Sequence, residues 1–188
     1  MTRLRLIAAG HTPALRKAVF GGDHDLDDGA RNATAHLRDS PLLQPHRYPH
    51  TRWTVAPSRA ARQTATLLGA HHTAEEPALR DPGYGTWTGL TLDQIDQATL
   101  EHWLTDPHAR PHDGESHTTI TARTAAWLHS PRQTGHSQTV VAHPAIIRAL
   151  LATALQLPAG HPHQLTVSPL AVAHLTHHHR WTLHLPTA

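Results

Sequence analysis

Three places in this sequence carry side chains that can move a proton. Asp81 stands in the loop Leu79-Arg80-Asp81-Pro82-Gly83-Tyr84-Gly85-Thr86-Trp87-Thr88-Gly89. His143 precedes Pro144 at the end of the run Thr139-Val140-Val141-Ala142, and His11 lies between Gly10 and Thr12. Imidazole titrates near neutrality, and a carboxyl and an imidazole sharing a cleft are ordinary acid–base equipment. The plainer alternative is that these groups only brace loops, with His11 facing solvent. Arg59 and Arg62 can bind an anionic substrate group or cover a solvated helix face. Tyr84 and Trp87 either cover a ligand or pin their loop to the core. Glu115 is either a pocket rim or a carboxylate at a helix N-terminus. The cluster His174, His177, His178 and His179 suggests a metal, but alternation along a hairpin splits it between two faces. It also lacks the helical H-E-x-x-H spacing and a neighbouring carboxylate, so no metal site is expected. No cofactor is expected either.

These residues need elements to hold them. Leu4, Leu6 and Ile7 form a short apolar run that Gly10 ends, with Thr12-Pro13 just beyond, which reads as a buried strand entering a tight loop. Ligands of open α/β sheets bind outside the carboxyl ends of strands, so Ala8, Ala9 and Thr12 are placed to line a pocket. Asp27 or Asp28 can cap a helix with Ala30, Ala33 and Leu37 on one side. Trp53–Ala56 predicts a strand, Pro57-Ser58 a turn, and Arg59–Leu68 a helix ending at Gly69. Leu90–Leu104 predicts a helix burying Leu92, Ile95, Leu100 and Trp103. A helix over Thr118–Leu128, a strand over Thr139–Ala142 and a helix over Ala145–Leu155 follow. Strands are expected at Leu165–Val167, Leu170–Leu175 and Trp181–Leu185. Strand–helix alternation predicts an α/β fold, a three-layer α/β/α sandwich with a largely parallel central sheet. The chain of 188 residues is expected to be one domain over 1–188, with residues 69–116 as a pocket-covering insertion.

Bulk properties exclude several classes. There is no cysteine, so neither a disulfide framework nor a thiolate zinc site can form. No apolar stretch approaches the ~18 residues of a membrane span, and no secretory h-region opens the chain. The formal charge is +2 with scattered arginines and the single lysine Lys17, so neither nucleic acid nor membrane is an expected partner. A small-molecule substrate is the expected partner, a homodimer is left open, and a cytoplasmic location is expected. The 21 histidines, with abundant alanine, threonine, proline and arginine, fit drift in a GC-rich genome.

Taken in order, the motifs resemble the histidine phosphatase superfamily, with its phosphoglycerate mutase-like fold. The counterparts are Ala8-Ala9-Gly10 with Thr12, Gly22-Asp23, Pro57 to Ala65, Leu79 to Gly89, Gly114-Glu115-Ser116 and Val140 to Leu151, which together span nearly the whole chain. The resemblance implies a first histidine that takes the phosphoryl group. Two arginines and a second histidine then hold its oxygens, and a carboxylic acid protonates the leaving group. Here Ala9 stands at the nucleophile and Ala8 at the first arginine. A gapless register puts Ala60 at the second arginine. A shifted register puts Arg62 there, with Ser58 four residues earlier. The gapless register is preferred because Thr64-Ala65 and Leu67-Leu68 then also fit. His143 matches the second histidine, with Pro144 after it where the family has glycine, and Asp81 matches the acid.

A phosphoryl site works by fixed charge and donors, and each lost charged hydrogen bond costs at least ~1.5–3 kcal/mol. The alanines should also make the pocket larger and more apolar, which raises the pKa of Asp81. The expectation is a repurposed enzyme performing cyclisation, dehydration or isomerisation on a small organic molecule, in bacterial specialised metabolism. Asp81 would be the acid, His143 the base or orienting partner, and His11 an assistant. Two alternatives stand beside it: a catalytically inactive binding pseudoenzyme, and a residual phosphomonoester phosphatase.

Overall fold

The computed structural model describes residues 1–44, 47–48, 50–130, 136–157 and 164–184. Its centre is a six-stranded sheet built from β1 (Thr2–Ala8), β2 (Arg52–Val55), β3 (Thr73–Glu75), β4 (Ser137–Ala142), β5 (Val172–His177) and β6 (Trp181–His184). The strand order is β3-β2-β4-β1-β5-β6. β1, β2, β3 and β4 run parallel, while β5 and β6 form an antiparallel hairpin on the β1 edge. The expected mixed α/β sandwich with a mostly parallel sheet is therefore present. β1 shows why its apolar run is continuous: Leu4, Leu6, Ile7 and Ala8 are all fully buried, as suits a parallel strand covered on both faces.

Six α-helices carry the rest: α1 (Pro13–Arg16), α2 (Asp28–Arg38), α3 (Arg59–Leu67), α4 (Gln97–Thr105), α5 (His117–Leu128) and α6 (Pro144–Ala154). α2 packs on α3, which lies over β2 and β4, and α5 packs on α6, which lies over β1. Their starts are written locally. Asp27 accepts from Ala30 N, Asp96 from Thr99 N and Ser116 from Thr119 N, each satisfying an orphan amide of a first turn. Pro144 occupies the first turn of α6, where its missing N–H costs nothing.

Several expectations need correction. The buried face of α2 is Ala30, Thr34 and Leu37; Ala33 is exposed, and the Thr34 hydroxyl is satisfied by Ala30 O. The helix expected over Leu90–Leu104 is two pieces, a 3-10 turn at Leu92–Gln94 and then α4. The Gln94 and Asp96 side chains bond the amides of Thr91 and Thr99, which interrupts helical pairing between them. Leu92 is consequently 45% exposed rather than buried. Residues 165–167 are not a strand, and Leu170 has a left-handed φ of 64° in the turn that leads into β5. The segment 69–116 supplies both β3 at the sheet edge and α4.

Candidate functional site

A cavity of about 420 Å³ opens beyond the carboxyl ends of the parallel strands, the place where α/β sheets bind ligands. Each strand delivers one part of it. β1 hands over Ala9, Gly10 and Thr12, and β2 leads to Ser58 and Ala60. β3 is followed by the loop of Asp81, Pro82 and Tyr84, and β4 ends at His143 and Pro144. Gly10 fits closely at the floor: a Cβ there would lie 3.0 Å from Leu26 Cδ2 and 3.2 Å from Ala30 Cβ, so those neighbours would have to shift slightly. The opposite wall is apolar: Leu15, Val19, Phe20, Leu92, Leu100 and Leu104. Asp23 and His24 complete the rim, and Asp23 is fixed by accepting from Arg59 N at 2.6 Å.

His143 caps α6. Its Nδ1 accepts from Ala145 N at 3.2 Å, so in the neutral ring the proton sits on Nε2. Burial pushes its pKa below the usual histidine value; the Asp81 charge opposes this and the Arg148 charge adds to it. At neutral pH His143 is thus a neutral ring offering an Nε2–H donor. Asp81 moves the other way. Burial raises its carboxyl above the ordinary range, against the pull of His143 and the nearby Ser58 hydroxyl. Ser58 begins α3 without capping it, and neither Ser58 Oγ nor Asp81 Oδ1 has a hydrogen bond of normal geometry among the described residues. Ser58 Oγ and Asp81 are thus buried close to each other without a well-formed hydrogen bond.

The structure brings Ala9, Thr12, Asp81, Tyr84 and His143 to this cavity, and leaves other expected residues outside it. Ala8 is buried in the sheet, its amide bonded to Ala171 O. His11 lies by Asp27, bonded through its main-chain carbonyl to Asp27 N, and does not line the cavity. Arg59 turns to Asp25 at 2.6 Å and Arg62 to Glu75 at 2.9 Å, and neither lines the cavity. Trp87 is buried in an aromatic cluster with Phe20, Trp103 and His112, which makes it a loop anchor. Glu115 braces the Asp81 loop by pairing with Arg123 at 2.8 Å and accepting from Gly83 N. His174 is buried between the Tyr48 hydroxyl and Leu42 O. The apolar wall was missed in sequence; its one signal is the helical spacing of Leu100, Trp103 and Leu104.

A family model for the histidine phosphatase superfamily (branch 1) matches residues 6–186. The chain belongs to that superfamily. No curated protein matches it significantly. Among solved structures, the mycobacterial glucosyl-3-phosphoglycerate phosphatase in complex with VO3 is 26% identical, covers 98% of each chain and superposes with a TM-score of 0.82. A histidine-to-alanine variant of phosphoserine phosphatase from Entamoeba histolytica, in complex with phosphoserine, is 18% identical over 97% of this chain and 95% of that one, with a TM-score of 0.83. A candidate alpha-ribazole-5′-phosphate phosphatase from Escherichia coli K-12 is 20% identical over 100% and 96%, with a TM-score of 0.85. The expectation of a cyclase, lyase or isomerase of specialised metabolism is thereby overturned: the solved structure that is 26% identical to this chain over 98% of both is a phosphatase. No helix among the described residues is long and apolar enough to cross a membrane.

Proposed function

We propose that this superfamily member is a binding protein: it keeps the phosphatase cavity for a small, mainly apolar organic molecule and does not carry phosphoryl groups on histidine. The observation that carries the reading is the cavity lining, which contains Ala9 and Ala60 and, among the described residues, not one arginine or lysine. A phosphoryl dianion needs fixed positive charge, and each missing donor of this kind typically costs about 10²–10³ in rate. His143 does not substitute as nucleophile, because its Nδ1 is engaged as a helix cap and its Nε2 carries the proton. What remains suits a ligand with an apolar body against Phe20, Leu100 and Leu104 and one polar group near Asp81 and His143.

Residual phosphomonoester hydrolysis is the second reading. The 26% identity with a phosphatase over 98% of both chains favours it, as does the retention of Asp81 and His143. Incubation with p-nitrophenyl phosphate, with mass analysis for phosphohistidine, separates the two. The binding reading expects no release above background and no modified histidine, together with a saturable rise in unfolding temperature on adding 2-naphthol. Phosphate release that disappears in His143→Ala, with a trapped phosphohistidine, would establish the second reading instead.

A further inference from the structure

A second cleft, of about 80 Å³, lies between α5 and α6 and shares Tyr84 and Trp103 with the main cavity. Arg148 lines it. This guanidinium is half-buried, forms no ion pair or hydrogen bond, and stacks on no aromatic ring among the described residues. All fourteen acidic side chains of the chain lie among the described residues, so none is left over to pair with it. Other arginines of the fold have partners. Arg16, Arg59, Arg62, Arg80 and Arg123 hold carboxylates, and buried Arg5 is bonded to Leu43 O and Thr139 Oγ1. A charge held partly away from water without a partner is under-solvated, and an anion entering the cleft would relieve that cost.

Other lining groups point the same way. Trp103 Nε1 and Thr153 Oγ1 are buried without a partner, and the Tyr84 hydroxyl makes no hydrogen bond among the described residues. Buried polar groups are normally satisfied, so orphaned groups gathered around one cation mark an absent acceptor. We propose that this cleft is a carboxylate site, with Arg148 as the anchoring cation and Tyr84, Trp103 and Thr153 as donors, for a short-chain aliphatic monocarboxylate. One cation matches one negative charge, and a planar carboxylate meets the guanidinium fork with two parallel bonds. A phosphate dianion lacks a second arginine or lysine here. Ile120, Ala149 and Leu157 form an apolar wall for a short alkyl tail. The site does not depend on what fills the main cavity.

Thermal unfolding of the full chain in sodium propionate, against sodium chloride of equal ionic strength, tests the assignment. A saturable rise in Tm is expected for the wild type, less in Arg148→Lys and none in Arg148→Met. Without propionate, Arg148→Met should unfold at the wild-type temperature or above it, since an unpaired charge has been removed; a merely structural arginine would lower it. Asp81→Asn, altered only in the main cavity, should keep the propionate response, so this site and the main-cavity reading fail separately. No saturable rise in the wild type overturns the proposal. So does a rise that survives Arg148→Met, a larger rise with sodium phosphate, or a marked loss of Tm in both Arg148 variants.

Discussion

At the residue scale, Ala9 and Ala60 govern the character of the cavity by what they withhold. Burial dominates the titration of Asp81 and outweighs the opposing influence of His143, Ser58 and Arg123. A carboxyl whose folded pKa is raised is charged at a cost once the pH climbs past its unfolded value, so ionised Asp81 subtracts from stability at neutral pH. Asp81→Asn should therefore raise the unfolding temperature at pH 7 by about 2–4 °C, equivalent to ~1 kcal/mol for a chain of this size. A pH series of Tm checks the sign: the difference between variant and wild type should shrink as the pH falls toward the acid range. A wild type more stable than Asp81→Asn at pH 7 would contradict the unpaired state of Asp81 Oδ1.

At the element scale, the loop after β3 is held by backbone closeness and by one half-buried ion pair. Gly114 N donates to His112 Nδ1 at 2.9 Å, and a Cβ on Gly114 would fall 2.1 Å from Gly83 O. Gly114→Ala must force the two loops apart, and overpacking of this kind typically costs about 1–3 kcal/mol. The displaced loop carries Asp81 and Tyr84, so the variant should show both a lower Tm in a calorimeter and weaker binding in the main cavity. Glu115 serves the same loop. Burial works to raise its pKa, but the hydrogen bonds from Arg123 and Gly83 N and the charges of Arg123 and Arg80 outweigh this and hold it below the ordinary glutamate value. Arg123, half-buried against Glu115, also donates to Ala78 O and Arg80 O, so it ties α5 to both ends of the turn that precedes Asp81.

At the scale of the whole molecule, acid should weaken the fold. His112, His143 and His174 are each pushed below the usual 6.5, in every case mainly by burial. Below about 6.5 the unfolded chain takes up protons that these folded histidines refuse. Stability is therefore fully present above that value and is lost as the pH falls through their folded pKa values. Glu115 adds to the same trend at lower pH, its depressed folded pKa making its contribution present at neutrality and lost in acid. Unfolding temperatures measured from pH 7.5 down to pH 5 should fall steadily, and a flat profile would contradict the burial of these three rings. His174→Gln should flatten the profile in part, since its neutral amide still has both a donor and an acceptor for Leu42 O and the Tyr48 hydroxyl.

The sequence by itself determined the main strands and helices and the capped start of α2. Those features depend on near neighbours: an apolar run such as Leu4–Ile7 and a capping aspartate such as Asp27. Asp81, Tyr84 and His143 were legible for the same reason, because the ends of parallel strands always face the cleft. The tertiary structure alone decided where long or flexible side chains turn. Arg59 and Arg62 occupy the right helix but are drawn to Asp25 and Glu75, residues 34 and 13 positions away. Trp87 and Glu115 are spent on holding a loop, and His11 stays beside Asp27. The apolar wall from Val19, Phe20 and α4, and the unpaired Arg148 behind it, arise from segments far apart in the chain. Burial and charge there are set by which segments meet, and no local pattern records that.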